Sequence, residues 1–212
     1  MTNDKPLVYV IDDDAAVRES LGLLLESLRL ANEVYGSALE FLDAYDPGRH
    51  SCLVTDIRMP AMSGLELQQK LAQDKAEIPI IFITGHADVP MAVSAMKAGA
   101  SDFLRKPFRD QDLLDCIHKA LWQDRERRVL LQEEATIRAC LKTLTPRELE
   151  VMQRVVSGQA NKVIAIDLDI SARTVELHRA RVMQKLGMRS LAELVRTVDK
   201  ASNAQGVNPP TG

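Results

Sequence analysis

The sequence predicts an α/β domain built on a five-stranded parallel sheet, followed by a smaller all-α domain. Three observations lead there. Before Leu121, short continuous apolar runs alternate with segments of helical period. A densely charged stretch, Trp122-Gln123-Asp124-Arg125-Glu126-Arg127-Arg128, then breaks the alternation. Beyond Leu144 every patterned segment has the helical period alone.

The first strand is Leu7-Val8-Tyr9-Val10-Ile11, a β-rich run stopped by Asp12-Asp13-Asp14. Val17, Leu21, Leu24, Leu25 and Leu28 follow at helical spacing, with Asp14 as the expected N-cap. A weaker strand reads at Asn32 to Tyr35, and Ser37 then caps a helix carrying Leu39, Phe41 and Leu42. Cys52-Leu53-Val54-Thr55 is the third strand, closed by Asp56, and Leu65, Leu67 and Leu71 mark the next helix. Ile78 to Ile83 is the fourth strand, Val89 to Ala98 the fourth helix and Asp102 to Arg105 the fifth strand. A final helix starts at about Asp110. Strands that are apolar throughout are buried on both faces, and these units fit the flavodoxin-like doubly wound order 2-1-3-4-5. Ligands of such sheets sit beyond the carboxyl ends of the strands.

At 212 residues, 46% hydrophobic and 27% charged, the composition is that of a globular protein rather than a disordered one. No apolar run approaches the length of a bilayer span. The start, Met1-Thr2-Asn3-Asp4-Lys5-Pro6, has no signal-peptide core, so a cytoplasmic location without a membrane partner is expected. Cys52, Cys116 and Cys140 are odd in number and widely spaced, and fit neither a disulfide framework nor a zinc site. The net charge of −3 hides an asymmetry: residues from Cys140 onward carry 11 Lys/Arg against 7 Asp/Glu, the rest 16 against 23. A basic second part makes nucleic acid a candidate partner.

The charged stretch, with Leu130, Ile137 and Leu141 recurring behind it, predicts a helical linker that either self-associates or serves as a solvated spacer. The expected divisions are an α/β domain over 1–122, the linker over 123–143 and a helical domain over 144–200. Residues 201–212, polar and rich in Gly and Pro, read as a disordered tail.

Asp12 and Asp13 follow the first strand, Asp56 the third, Thr84 the fourth and Lys106 the fifth, and a parallel sheet brings these ends to one edge. Crowded carboxylates repel unless a cation neutralises them, and an all-oxygen donor set suits Mg²⁺. With that metal and the Lys106 ammonium neutralising phosphoryl oxygens, and Thr84 donating a hydrogen bond, Asp56 has the setting of a nucleophile that becomes an acyl phosphate. Each residue alone is ordinary, since strand-end aspartates cap helices and a lysine before Pro107 is usually a surface residue. Their coincidence carries the reading.

Val10-Ile11-Asp12-Asp13-Asp14, Leu53-Val54-Thr55-Asp56-Ile57-Arg58-Met59-Pro60-Ala61-Met62-Ser63-Gly64, Ile83-Thr84-Gly85-His86 and Lys106-Pro107-Phe108 resemble the receiver domain of two-component response regulators. The run from Asp88 to Ala100 resembles its FixJ-type branch. The resemblance implies that Asp56 is the phosphoacceptor and that Asp12, Asp13, Asp56 and the Arg58 backbone carbonyl hold Mg²⁺. Thr84 and Lys106 would bind the phosphoryl group, and a cis Lys106–Pro107 peptide is expected. A switch is implied as well: Thr84 moves toward the phosphoryl group, Phe103 turns inward, and the face of the fourth helix, fifth strand and fifth helix repacks and dimerises. Arg58 and His86 are candidates to gate water at the site. Two departures stand out: Ala87 replaces a usual Gly, and Leu28-Arg29-Leu30-Ala31 lacks the Gly-aromatic pair usual after the first helix.

In the second part, Thr145 reads as an N-cap, Pro146 as the first helical residue and Glu148 as the closing member of a capping box. Leu149, Met152, Val155 and Val156 are expected in a core. Ala160 to Asp167 is a short helix carrying Val163, Ile164 and Ile166; after a turn, Ser171 caps a longer helix to Leu186, ended by Gly187. Leu191, Leu194, Val195 and Val198 mark a fourth. This is a helix-turn-helix, whose second helix enters the major groove of DNA. By helical phase Val175, Val182 and Leu186 point inward, leaving Arg173, Leu177, Ala180 and Gln184 outward, flanked by Thr174, Glu176 and Arg181. The arginines suit phosphate or guanine, Leu177 and Ala180 thymine methyls, Glu176 cytosine, and Lys162 a phosphate. Leu144-Thr145-Pro146-Arg147-Glu148, Ala160-Asn161-Lys162-Val163-Ile164-Ala165 and Ser171-Ala172-Arg173-Thr174-Val175-Glu176-Leu177-His178-Arg179 together resemble the LuxR/NarL-type DNA-binding domain. Some relatives carry lysines where Glu176 and Ala180 stand, so their base preference does not transfer.

Together the resemblances imply a response regulator, not an enzyme, phosphorylated on Asp56 by a sensor histidine kinase. It would dimerise, bind two-fold promoter DNA, engage RNA polymerase and activate transcription. The first competing reading is a regulator that binds DNA whatever the state of Asp56; the second, from another class, is a small metal-dependent phosphatase, but no second acid is suitably spaced for turnover.

Overall fold

The computed structural model describes residues 5–85, 89–188, 190 and 192–196. The expected tail over 201–212 and the readings of His86, Ala87, Leu191 and Val198 lie outside the described residues. The chain divides into two compact units between Arg128 and Val129.

The first unit runs β1 (Leu7–Ile11), α1 (Ala15–Ser27), β2 (Ala31–Tyr35), α2 (Ala38–Ala44), β3 (Ser51–Asp56), α3 (Gly64–Gln73), β4 (Ile80–Thr84), α4 (Val89–Lys97), β5 (Asp102–Arg105) and α5 (Asp110–Leu141), which continues past the unit's boundary. All five strands are parallel, in the predicted order β2-β1-β3-β4-β5. β1, β3 and β4 lie in the middle and are buried at nearly every position, which is why each reads as an unbroken apolar run. Their alternate residues feed two cores. Leu7, Tyr9, Leu53 and Phe82 meet α2 and α3 through Phe41 and Leu67; Val8, Val10, Val54 and Ile81 meet α1 and α5 through Leu25 and Ile117.

Two local features depart from the sequence reading. β4 begins at Ile80 rather than Ile78, because Pro79 has no N–H for the ladder; its carbonyl alone accepts from the Leu53 N–H, at 2.9 Å. After α1, Arg29 adopts φ 60°, the left-handed geometry of a helix C-terminus, with Leu30 N–H returning to the Leu25 carbonyl. The turn keeps the geometry that glycine would ease, although this segment has none.

The compact unit also includes the charged stretch through Arg128. Asp124 is 1% exposed and accepts from the Ser51 N–H at 3.1 Å, Arg127 at 2.5 Å and Arg128 Nε at 2.6 Å. Arg128 further donates to the carbonyls of Pro47, Gly48 and Arg49. These bonds clasp α5 to the loop before β3.

In the second unit α6 (Pro146–Val156), α7 (Asn161–Asp167) and α8 (Ala172–Lys185) pack around Val151, Met152, Ile164, Val175 and Val182, and residues 192–196 are also helical. The capping box forms: Thr145 Oγ accepts from the Glu148 N–H at 3.3 Å, and the Glu148 carboxylate accepts from the Thr145 N–H at 2.8 Å. Leu149, expected on a core face, is instead exposed, and of the apolar residues carried by α7, Val163 and Ile166 are exposed, the last by 80%. The buried stripe of α6 runs through Glu148, Val151, Met152 and Val155, and α7 buries only the adjacent pair Ile164 and Ala165. No described helix is long and apolar enough to cross a membrane.

Candidate phosphoacceptor site and DNA-binding face

The parallel register puts the ends of β1, β3 and β4 on one edge: Ile11 stands beside Thr55, and Asp56 beside Ile83. One carboxylate oxygen from each of Asp12, Asp13 and Asp56 lies within 4.8 Å of the others. Their settings differ. Asp12 is 1% exposed, with Oδ1 accepting from the Asp14 N–H at 3.0 Å; Asp13 is exposed. Asp56 turns Oδ1 onto the N–H groups of Ile57 and Arg58, at 2.6 and 3.4 Å, leaving Oδ2 directed at Lys106. Asp14 caps α1 as expected, accepting from the Ala16 N–H at 2.8 Å.

Lys106 Nζ is 2.5 Å from Asp12 Oδ2 and 3.3 Å from Asp56 Oδ2. Burial works against its charge, but the hydrogen bond and charge of Asp12, together with those of Asp56, outweigh it and raise its pKa above the ordinary lysine value. The Lys106–Pro107 peptide is cis, and the Lys106 N–H donates to the Thr84 carbonyl at 2.8 Å. Thr84 ends β4, 1% exposed, and Phe103 sits half-buried on β5 beside Phe82, against the first core. Three carboxylates against one ammonium leave a surplus of about two negative charges, and the donors are all oxygen, a set that fits a divalent ion such as Mg²⁺.

Two supporting residues were not singled out from sequence. Arg18 donates to the Asp12 carbonyl at 2.6 Å and pins the β1–α1 turn. Gly64 lets α3 pass so close to Asp56 that a Cβ would lie 2.4 Å from the Asp56 carbonyl oxygen. The signal for Gly64 was its place in the Met59-Pro60 segment; Arg18 left none.

On α8, Val175, Val182 and the following Leu186 are buried, and Arg173, Glu176, Leu177, Ala180, Arg181 and Gln184 are exposed, as the helical phase requires. Thr174 is half-buried, its Oγ1 2.8 Å from the Ser171 Oγ; Lys162 is exposed on α7. Arg179 is turned away from this face and donates to Asn161 Oδ1 at 2.5 Å, tying α7 to α8. The exposed face combines two arginines with Leu177, a composition able to meet phosphates and base edges.

A receiver domain for signals coupled to a helix-turn-helix output is the class defined by this fold and these sites. Residues 8–118 match the response regulator receiver domain family, and residues 142–198 match the bacterial regulatory proteins of the luxR family. Nodulation protein W of Bradyrhizobium diazoefficiens is 47% identical over 91% of this chain and 85% of its own length. Transcriptional regulatory protein FixJ of Azorhizobium caulinodans is 49% identical over 89% of this chain and 90% of its own. The solved structure of the response regulator StyR superposes with a TM-score of 0.84 at 48% identity, covering 92% of this chain and 99% of that one. The chain belongs to the two-component response regulators of the FixJ type, with a receiver domain and a LuxR-type DNA-binding domain.

Proposed function

We propose that a sensor histidine kinase phosphorylates Asp56 and that the resulting change of the receiver promotes dimerisation and sequence-specific binding to promoter DNA. The observation that carries this reading is the convergence of Asp12, Asp13 and Asp56, with Lys106 bridging two of them. Asp12, Asp13, Asp56 and the Arg58 carbonyl would hold Mg²⁺, which would supply positive charge to neutralise the phosphoryl oxygens. Asp56 Oδ2 attacks phosphorus, forming the acyl phosphate bond as the bond to the donor breaks. Lys106 shifts its ammonium from Asp12 toward the new phosphoryl group, and the Thr84 hydroxyl donates to one of its oxygens. Phe103 follows Thr84 inward and repacks the α4–β5–α5 face, on which a second copy docks. In the dimer, two copies of α8 read a two-fold site through Arg173, Thr174, Glu176, Leu177, Ala180 and Arg181, with Lys162 on a phosphate. The bound dimer engages RNA polymerase and activates transcription in the cytoplasm. The chain acts as a phosphoacceptor, with no turnover beyond slow self-phosphorylation and dephosphorylation.

DNA affinity measured with and without phosphoramidate, in wild type and Asp56→Ala, tests the proposal. The donor is expected to tighten wild-type binding by roughly 5- to 150-fold, the usual size of such coupling, and to leave the variant unchanged. Equal affinity in all four conditions would sink the switch.

A further inference from the structure

Arg18 has a placement that α1 alone does not explain. It stands near the N-terminus of the helix, four residues after the N-cap Asp14, where the helix dipole disfavours a cation and the first turn carries no acidic residue to offset it. Among the described residues it has no ion-pair partner. Side chains on a helix lean back toward its N-terminus, and Arg18 uses that direction. Its guanidinium rests against Gly36, where a Cβ would lie 3.7 Å from Cζ and Nη1, and Nη1 donates to the Asp12 carbonyl at 2.6 Å. That carbonyl lies past the last rung of the ladder, Ile11 beside Tyr35 and Thr55, and belongs to the peptide that joins Asp12 to Asp13. The two ends of this peptide are held unequally. Asp12 is fixed through its N–H to the Tyr35 carbonyl at 3.3 Å and through Oδ1, which accepts from the Asp14 N–H at 3.0 Å; Asp13 is exposed. A turn of the peptide would therefore swing the Asp13 carboxylate away from Asp12 and Asp56, and a short, charge-assisted bond resists that turn.

We propose that Arg18 is a positioning residue for the divalent ion: by holding the Asp12–Asp13 peptide, it keeps both carboxylates converged with Asp56. The inference rests on reading the three acids as the Mg²⁺ site. Two effects of opposite sign act at this position. Removing a positive charge near the site would by itself tighten a cation, whereas releasing the peptide loosens it. Partners that orient a metal ligand typically contribute ~10- to 100-fold in affinity, while the field of a half-exposed guanidinium is screened by salt. Geometry is therefore the larger effect, and high ionic strength isolates it.

Mn²⁺ takes the same oxygen donors, and its binding to the full chain is read from the loss of the free-ion electron paramagnetic resonance signal. The titration is run in about 0.5 M KCl, where the screening length falls to about 4 Å. Arg18→Met is expected to bind the ion ~10- to 100-fold more weakly than wild type, and Arg18→Lys, which keeps the charge and one donor, to recover part of the loss. The Mg²⁺ concentration that half-saturates phosphorylation by phosphoramidate should rise by a larger factor than the saturated rate falls. A residue needed only for folding would lower that rate and the urea midpoint without moving the half-saturating concentration. Where Arg18→Met fails to fold, Arg18→Gln, uncharged and too short for the Asp12 carbonyl, carries the same expectation. Wild-type or tighter Mn²⁺ binding in the folded variant overturns the proposal. If wild type itself binds no Mn²⁺, or Asp13→Asn binds it equally well, the reading of the acids as a metal site fails first, and the role of Arg18 falls with it.

Discussion

Gly64 offers the most direct test of how the backbone around Asp56 supports its chemistry. It opens α3, and its N–H donates to the Ile57 carbonyl at 2.9 Å. A Cβ at this position would lie 2.4 Å from the Asp56 carbonyl oxygen, 3.0 Å from Phe82 Cε1 and 3.2 Å from Ile57 Cα. Ordinary contact begins at 3.4 Å, so Gly64→Ala forces a movement of about 1 Å between two backbone segments. Overpacking of this kind costs ~1–3 kcal/mol, which outweighs the ~1 kcal/mol that alanine gains over glycine in a helix. A misplacement of about 1 Å at a reacting group can cost ~100-fold in rate, so phosphorylation by phosphoramidate with Mg²⁺ should slow by about that factor. Phosphoprotein is separated on a phosphate-affinity gel, and stability is read by urea unfolding in the near-ultraviolet dichroism. That dichroism reports the first unit alone, because Trp122 and every Tyr and Phe precede Val129. Gly85→Ala is the control, since a Cβ there meets nothing within 4 Å. A Gly64→Ala protein phosphorylated at the wild-type rate, or a Gly85→Ala protein equally slowed, refutes the reasoning.

Arg29→Gly should stabilise the first unit by ~1 kcal/mol by relieving the left-handed φ of 60°; an unchanged or lowered urea midpoint contradicts this. Asp124→Ala should destabilise it by ~3 kcal/mol, since it orphans the buried Ser51 N–H and unpairs two arginines that remain partly solvated. Asp124→Asn keeps an acceptor for Ser51 and should lose about half as much; equal losses in the two variants would show that the Ser51 bond contributes nothing. In the second unit, the hydrogen bond from Lys185 and that from the Thr145 N–H hold the Glu148 pKa down to about 2, against 4.5 in the unfolded chain. Because the folded value is the lower one, this contribution is complete above about pH 4.5 and fades as the pH falls toward about 2. The α6 amide resonances of Glu148→Gln should therefore lose less on acidification than those of wild type, and parallel acid titrations would argue against the linkage.

The legible part of this molecule was the part that topology alone determines. β1, β3 and β4 read as strands because central parallel strands are apolar on both faces, and Asp12, Asp56 and Thr84 could be brought together because such strands end on one edge. Details that depend on side-chain reach were out of view. Nothing in the sequence shows that Lys106 lies nearer to Asp12 than to Asp56, or that Arg18 holds the Asp12 carbonyl. Leu149 was assigned to a core face because a helix of 11 residues contains too few turns for the period to separate adjacent faces. Composition also cannot distinguish a buried, paired charge from a solvated one, so the stretch around Asp124 resembles spacer although it is tied into the unit.

That last point changes how α5 is understood. Along 32 residues the helix has no single face. Leu113, Ile117, Ala120 and Leu121 close the second core, Asp124 then substitutes a buried carboxylate for an apolar residue, and Val129, Leu130 and Leu131 are exposed by 48, 54 and 47%. An apolar contact tolerates sliding, because one methyl replaces another at little cost. The bonds at Asp124 do not, since Ser51 offers one N–H at one place and Arg128 spans three consecutive carbonyls. Any movement of α5 along the sheet must therefore break this clasp or carry the loop before β3 with it, and β3 is the strand that ends in Asp56.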